Sequence, residues 1–182
     1  MSMSNIIILN APIGAGKDTI ADLIVQQYGY VKLQFKDALF QCMSSHFNVP
    51  IEVVQDLNHR EHKEKSNVLY NGMTPREAAI HVSECIIKPK YGNRYFGEYL
   101  SRVAHQYSHV VVSDSGFHEE VQAVQDEHST AVVRLMGRGT FIGDSRNYLN
   151  REHLKAGTVY DVKLQEGKPE LAVQEIMQLQ FK

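Results

Sequence analysis

In this 182-residue chain, the residue types that do chemistry gather first at residues 10–19, NAPIGAGKDT, directly after the apolar run Ile6-Ile7-Ile8-Leu9. A phosphate cradle needs backbone N–H groups turned inward, which glycine permits, and a helix N-terminus whose unsatisfied donors face the anion. Gly14, Ala15 and Gly16 form such a turn, and Lys17 supplies a point charge for the outer phosphates, as in the pattern G-x-x-x-x-G-K-[ST]. Two positions depart from that pattern. Ala11 stands where the first glycine belongs, and Asp18 where a magnesium-binding Ser or Thr belongs. A carboxylate beside a triphosphate is repelled unless a cation lies between them, so Asp18 has two readings. It holds magnesium, directly or through water, while Thr19 contacts an inner phosphate, or it is an acidic residue favoured in the first turn of a helix.

A second carboxylate, Asp114, ends the apolar run VVVSD. A strand that delivers a carboxylate to the top of a sheet beside a phosphate loop is the arrangement that holds magnesium in P-loop enzymes, which makes Asp114 the second metal candidate. Capping of the following helix is the structural alternative. The segment GRGTFIGDSR carries Arg138 and Arg146, with Arg134 just before it. A loop of this kind over about 137–150 would act as a lid whose arginines stabilise charge on a transferring phosphoryl group.

These groups need elements to hold them. Asn5 to Leu9 reads as a strand buried on both faces, and Ile20, Leu23, Ile24 and Tyr28 recur at helical spacing with Gly29 as the stop. Val31 to Phe35 reads as a second strand, followed by a helix with Asp37 near its start. Pro50 to about Asn58 is a short helix. The Thr74-Pro75-Arg76-Glu77 run is a capping box, opening a helix that Lys88-Pro89 should end. Another helix is expected over Tyr95 to Gln106, strands over His109 to Val112, Thr130 to Met136 and Val159 to Leu164, and helices around Phe117 to Val124 and over Glu170 to Leu179. Strands alternating with helices imply a parallel sheet with helices on both faces, a three-layer α/β fold. The stretch of about 36–107 is then a helical insertion within one domain covering residues 1–182.

Composition sets limits on partners. The net charge of −2 argues against a protein that coats nucleic acid, and the 43% hydrophobic and 22% charged fractions suit a globular chain. No apolar stretch reaches the roughly 20 residues of a membrane span, and MSMSNIIILN lacks the features of a signal peptide, so the expected location is cytoplasmic. Cys42 and Cys85 both fall on apolar helical stripes and read as reduced core residues.

The chain resembles the phage-type deoxynucleoside monophosphate kinases, a branch of the P-loop nucleotide kinases. The resemblance runs from residue 5 to about 170 and rests on GKDT, MTPREAAIHVSE, KPKYGNRYFGEYL, VVVSDSGFHEEV and RGTFIGDSRNYL. That family also carries Asp in the GKDT position. The resemblance implies transfer of the γ-phosphoryl group of ATP to a (deoxy)nucleoside 5′-monophosphate, with Mg2+ as cofactor, in the host cytoplasm if the chain is phage-encoded. Lys17 would bind the transferring phosphates, and Arg138 and Arg146 would act in the lid. For the acceptor, Lys36, Asp37, Arg76, Lys88 and Arg94 are available to its phosphate and surroundings, and Phe96 or Tyr91 to its base. Its partners would be small-molecule nucleotides, neither nucleic acid nor membrane, and homodimerisation stays open. Two other readings compete: a P-loop kinase for another small acceptor such as dephospho-coenzyme A, and a nucleotide-binding protein without catalysis.

Overall fold

The computed structural model describes residues 3–59, 61–142, 146–179 and 181. The chain divides into two compact units, one of Met1–Phe35 with Gly97–Lys182, the other of Lys36–Phe96.

The first unit is built on five parallel strands: β1 (Asn5–Asn10), β2 (Val31–Leu33), β3 (His109–Val112), β4 (Ser129–Met136) and β5 (Val159–Lys163), in the order β2-β3-β1-β4-β5. Successive side chains of a strand point to opposite faces, and both faces here are covered. Ile7, Leu9, Val111, Val133 and Leu135 pack with Ile20, Ala21 and Ile24 of α1 (Lys17–Tyr28). Ala172, Val173 and Ile176 of the terminal helix (Pro169–Ile176) belong to the same cluster. Ile6, Ile8, Val110, Val112 and Val132 pack on the other side, with Phe35, Leu100, Ala104, Val121 and Val124. Ile6 to Leu9 are wholly buried, worth roughly 1.5–3 kcal/mol each. This is the α/β sheet with helices on both faces that the sequence pattern implies.

Local signals account for most element ends. Gly29 stops α1 in the left-handed conformation (φ 69°), its N–H donating to Val25 O. The second strand is shorter than the expected Val31–Phe35, because Phe35 already begins α2 (Phe35–Phe47). Its amide is capped from a distance, donating to Asp114 Oδ1 at 2.9 Å.

The second unit is helical, containing most of α2 and all of α3 (Ile51–Leu57). The capping box forms as read: Glu77 N donates to Thr74 Oγ1 at 3.2 Å and Thr74 N to Glu77 Oε2 at 2.8 Å, opening α4 (Pro75–Ile80). The helix does not stop at Lys88-Pro89. It continues as a π-helical stretch, His81–Ile87, and then as α5 (Lys88–Tyr91). Proline breaks an α-helix by lacking a donor and striking the carbonyl four residues back. Wider π winding before Pro89 relieves that clash, and at the start of α5 its missing N–H goes unmissed. The same winding breaks the 3.6-residue period, so Cys85 is exposed and not a core residue, while Cys42 is half-buried; both are free thiols. From Gly97 onward, α6 (Tyr95–Ala104) belongs to the first unit, which also holds α7 (His118–Glu127) before the terminal helix, α8. Among the described residues, no helix is long and apolar enough to cross a membrane.

Candidate nucleotide site at the ends of β1 and β3

The loop between β1 and α1 stands at the carboxyl end of the central strand, where open α/β sheets bind ligands. Gly14 (φ 80°) and Gly16 (φ 96°) both adopt backbone conformations that side chains rarely take, so glycine is required at these turns. Lys17 curls back over the loop, its Nζ donating to Ala11 O at 2.5 Å and Pro12 O at 2.9 Å. The ammonium is thereby held across the turn that precedes a helix N-terminus, where two positive features converge. Ala15 is buried beneath the loop and Thr19 is exposed.

Asp18 and Asp114 come to the same end of the adjacent strands β1 and β3. Ser113 Oγ donates to Asp18 Oδ1 at 2.9 Å, and Asp114 is the next residue in the chain. Lys32 Nζ pairs with Asp18 Oδ1 at 3.0 Å and with Asp22 Oδ1 at 2.9 Å. Burial of Lys32 works against its charge, but its bonds to Asp22 and Asp18 outweigh that and raise its pKa. Asp114 Oδ1 accepts from the Phe35 amide and so caps α2. Carboxylate oxygens are the ligand type magnesium takes; at this corner Asp18 Oδ1 is engaged by Ser113 and Lys32, and Asp114 Oδ1 by Phe35 N.

Asn10, which sequence reasoning passed over, is wholly buried at the end of β1. Its Nδ2 donates to Ser115 O and Asn147 O, both at 3.3 Å, and its Oδ1 accepts from Leu149 N at 2.9 Å. The phosphate-loop strand, the segment after Asp114 and the chain returning from the arginine loop are thus tied to one amide. The hint lay in a polar residue closing an otherwise apolar strand, but its partners are more than 100 positions away.

The arginine loop meets the phosphate loop directly. Ile13 and Thr140 form an antiparallel bridge, and Gly139 (φ 75°) lies so close that a Cβ there would stand 2.8 Å from Ile13 O. Residues 143–145 of the expected lid lie outside the described residues. Arg138 makes a long contact of 3.9 Å with Glu166. The Arg146 stem packs over Gly116, two residues beyond Asp114, where a Cβ would stand 2.3 Å from Arg146 Cδ. Arg134 is a structural clamp: Nε and Nη2 grip Asp161 at 2.6 and 2.8 Å, and Nη1 donates to Leu149 O at 3.3 Å. Arg151 Nη2 joins the same carboxylate at 2.8 Å. The Arg134 bonds, opposed by partial burial and aided by Arg151, hold Asp161 below the usual carboxylate range.

The acceptor candidates fall in the helical unit. Arg76 Nε pairs with Glu64 Oε1 at 2.6 Å, and Lys88 Nζ with Glu84 Oε1 at 2.6 Å. Lys36 lies 6.0 Å from the Phe40 ring, Asp37 is exposed in the first turn of α2, and Arg94 is half-buried before α6. Phe96 is 3% exposed and packs edge-on to Tyr95, so it has no open face for a base; Tyr91 is 51% exposed and stacks on Tyr95.

A separate cluster, His105, Glu127 and His128, has metal-ligand residue types within 4.8 Å of one another. His128 is buried with both ring nitrogens in use: Nδ1 accepts from Ser4 N at 3.2 Å and Nε2 bonds Ser101 O at 3.0 Å. That arrangement ties the residue before β1 and the residue after α7 to α6 and leaves the ring no lone pair for a metal.

No protein-family model matches the chain, and no curated protein matches it. Solved structures do. A sugar kinase from Janibacter sp. HTCC2649 aligns over 98% of this chain and 94% of its own, with a TM-score of 0.50 at 12% identity. A candidate kinase from Chloroflexus aurantiacus J-10-fl aligns over 98% of this chain and 96% of its own, with a TM-score of 0.51 at 14% identity. The chain shares with these structures its fold, a five-stranded parallel sheet with helices on both faces. At such identities the likeness concerns the fold, and the chemistry rests on the chain's own residues.

Proposed function

We propose that the protein transfers the γ-phosphoryl group of ATP to a (deoxy)nucleoside 5′-monophosphate. The observation that carries the transfer reading is the loop itself: Lys17 is drawn over the Ala11 and Pro12 carbonyls at a helix N-terminus, with Asp18 in the first turn of that helix and bonded to Ser113, next in the chain to Asp114. The acceptor class is supported by the motifs similar to phage-type deoxynucleoside monophosphate kinases, including the TPRE box that opens α4.

In this reading Lys17 and the loop amides hold the β- and γ-phosphates, and Arg138 and Arg146 approach the transferring group. Of the two candidate carboxylates, Asp18 is already paired with Lys32 and Asp114 is the one available to magnesium, which when bound would offset charge on the phosphate oxygens. Lys36, Asp37, Arg76, Lys88 and Arg94 serve the acceptor, with Tyr91 the aromatic exposed for its base. The acceptor phosphate oxygen forms the new bond to the γ-phosphorus as the bond to the β–γ bridging oxygen breaks, and ADP leaves. That oxygen is already anionic, so alignment and charge stabilisation suffice without a general base.

The test is ADP formation from magnesium-ATP with dAMP, dGMP, dCMP, dTMP and their ribonucleotides. Stimulation by at least one monophosphate supports the proposal. A rate unchanged by all eight, with ATP bound, removes the acceptor assignment and leaves a binding protein or a kinase for another acceptor.

A further inference from the structure

Asp18 has a cation of its own. Lys32 reaches from β2 to Asp18 and to Asp22, one turn further along α1, at 3.0 and 2.9 Å. Its neighbours engage the same corner: Gln34 Nε2 donates to Ser113 Oγ at 3.1 Å, Ser113 donates to Asp18, and Phe35 N donates to Asp114. The β2–α2 junction therefore touches Asp114 directly and Asp18 through Lys32 and Ser113. Lys17, Asp18, Asp22 and Lys32 together carry no net charge, and without Lys32 the group carries −1 at the place where a polyphosphate would settle.

We infer that Lys32 is a positioning residue for the nucleotide site: it is the counter-ion of Asp18, letting polyphosphate bind beside that carboxylate without a metal on it, and leaves Asp114 as the carboxylate for magnesium. This rests on the proposed nucleotide binding. It also gives the departure from Ser or Thr at position 18 a physical basis, since the carboxylate and Lys32 form a pair that holds β2 against α1. Lys32 acts through Asp18 and touches no substrate.

Calorimetric titration of ATP in EDTA, repeated with magnesium, tests this on wild type, Lys32→Met, Asp18→Asn and the doubles Lys32→Met/Asp18→Asn and Lys32→Met/Asp22→Asn. Thermal melts run alongside, and Lys32→Gln serves as the second variant if Lys32→Met is poorly folded. Lys32→Met is expected to weaken ATP binding in EDTA on the order of tenfold, as one unbalanced charge several ångströms from the phosphates requires. Adding Asp18→Asn should restore it to within about threefold, whereas adding Asp22→Asn, a helical turn further away, should restore little. A purely structural Lys32 would lower the melting temperature without this selective rescue. Equal or tighter ATP binding by Lys32→Met, in EDTA or with magnesium, overturns the inference, as does equal rescue by the two Asn changes. Failure of wild type to bind ATP at all overturns instead the nucleotide reading on which it stands.

Discussion

Gly139→Ala probes the approach of the arginine loop to the phosphate loop. At φ 75° an alanine pays roughly 1 kcal/mol of left-handed strain. Its Cβ would stand 2.8 Å from Ile13 O and 3.1 Å from Pro12 Cβ, where a carbon–oxygen contact normally needs about 3.3–3.6 Å. Opening that gap by about half an ångström costs the Ile13–Thr140 bridge, roughly another 1 kcal/mol. A total near 2 kcal/mol is about 30-fold in a local equilibrium. Residues 137–140 are exposed, so the segment relieves the strain by opening locally. Hydrogen exchange over residues 13–15 and 139–141 should therefore quicken by up to about 30-fold. The melting temperature should fall by less than the roughly 4–8 °C that 2 kcal/mol would give if the whole fold bore it. Unchanged exchange in both segments would refute the reasoning, because the close contact would then carry no energy.

Two further predictions concern stability. Burial, aided by His105 and opposed by the Ser101 carbonyl and Glu127, holds the His128 pKa below its usual 6.5; His118 is lowered in the same sense by burial and His153. The unfolded chain thus binds these protons first, so stability is full above pH 6.5 and is lost as pH falls from there toward the folded values, by at most about 1.4 kcal/mol per pH unit per group. Melting temperatures between pH 7.5 and 5.5 should fall for wild type and be flatter for His128→Gln, which keeps one donor and one acceptor; parallel curves would contradict this. Asp161→Asn weakens the grip of Arg134 and Arg151 on a 40%-exposed carboxylate, so about 1 kcal/mol and 2–4 °C are expected, with faster exchange over residues 147–151. Unaltered exchange there would show that Arg134 does not hold the returning chain.

Much of the first unit was readable because its signals are local. Strand β1, the glycine turns and the Gly29 stop each lie within a few residues of what they specify, as does the capping box in the second unit. What escaped depends on partners far along the chain. Phe35 joins α2 because Asp114 caps it, and Asn10 and Lys32 matter through residues brought close only by the sheet. Pro89 misled because its rule assumes α winding, and the π stretch before it changes both the clash and the face that Cys85 presents. Phe96 looked like a base platform among its aromatic neighbours, and only packing shows it to be core. Arg134 likewise proves to be occupied by Asp161.

The central claim is phosphoryl transfer at the Lys17 loop. The most direct measurement is mass-spectrometric detection of the nucleoside diphosphate made from magnesium-ATP and the most stimulating monophosphate, for wild type and Lys17→Ala. The account predicts one diphosphate product per ADP for wild type and a loss of at least about a hundredfold for the variant, from removal of a charge on the transferring phosphates. ADP without phosphorylated acceptor, or equal product from the Lys17 variant at an unchanged melting temperature, would contradict it.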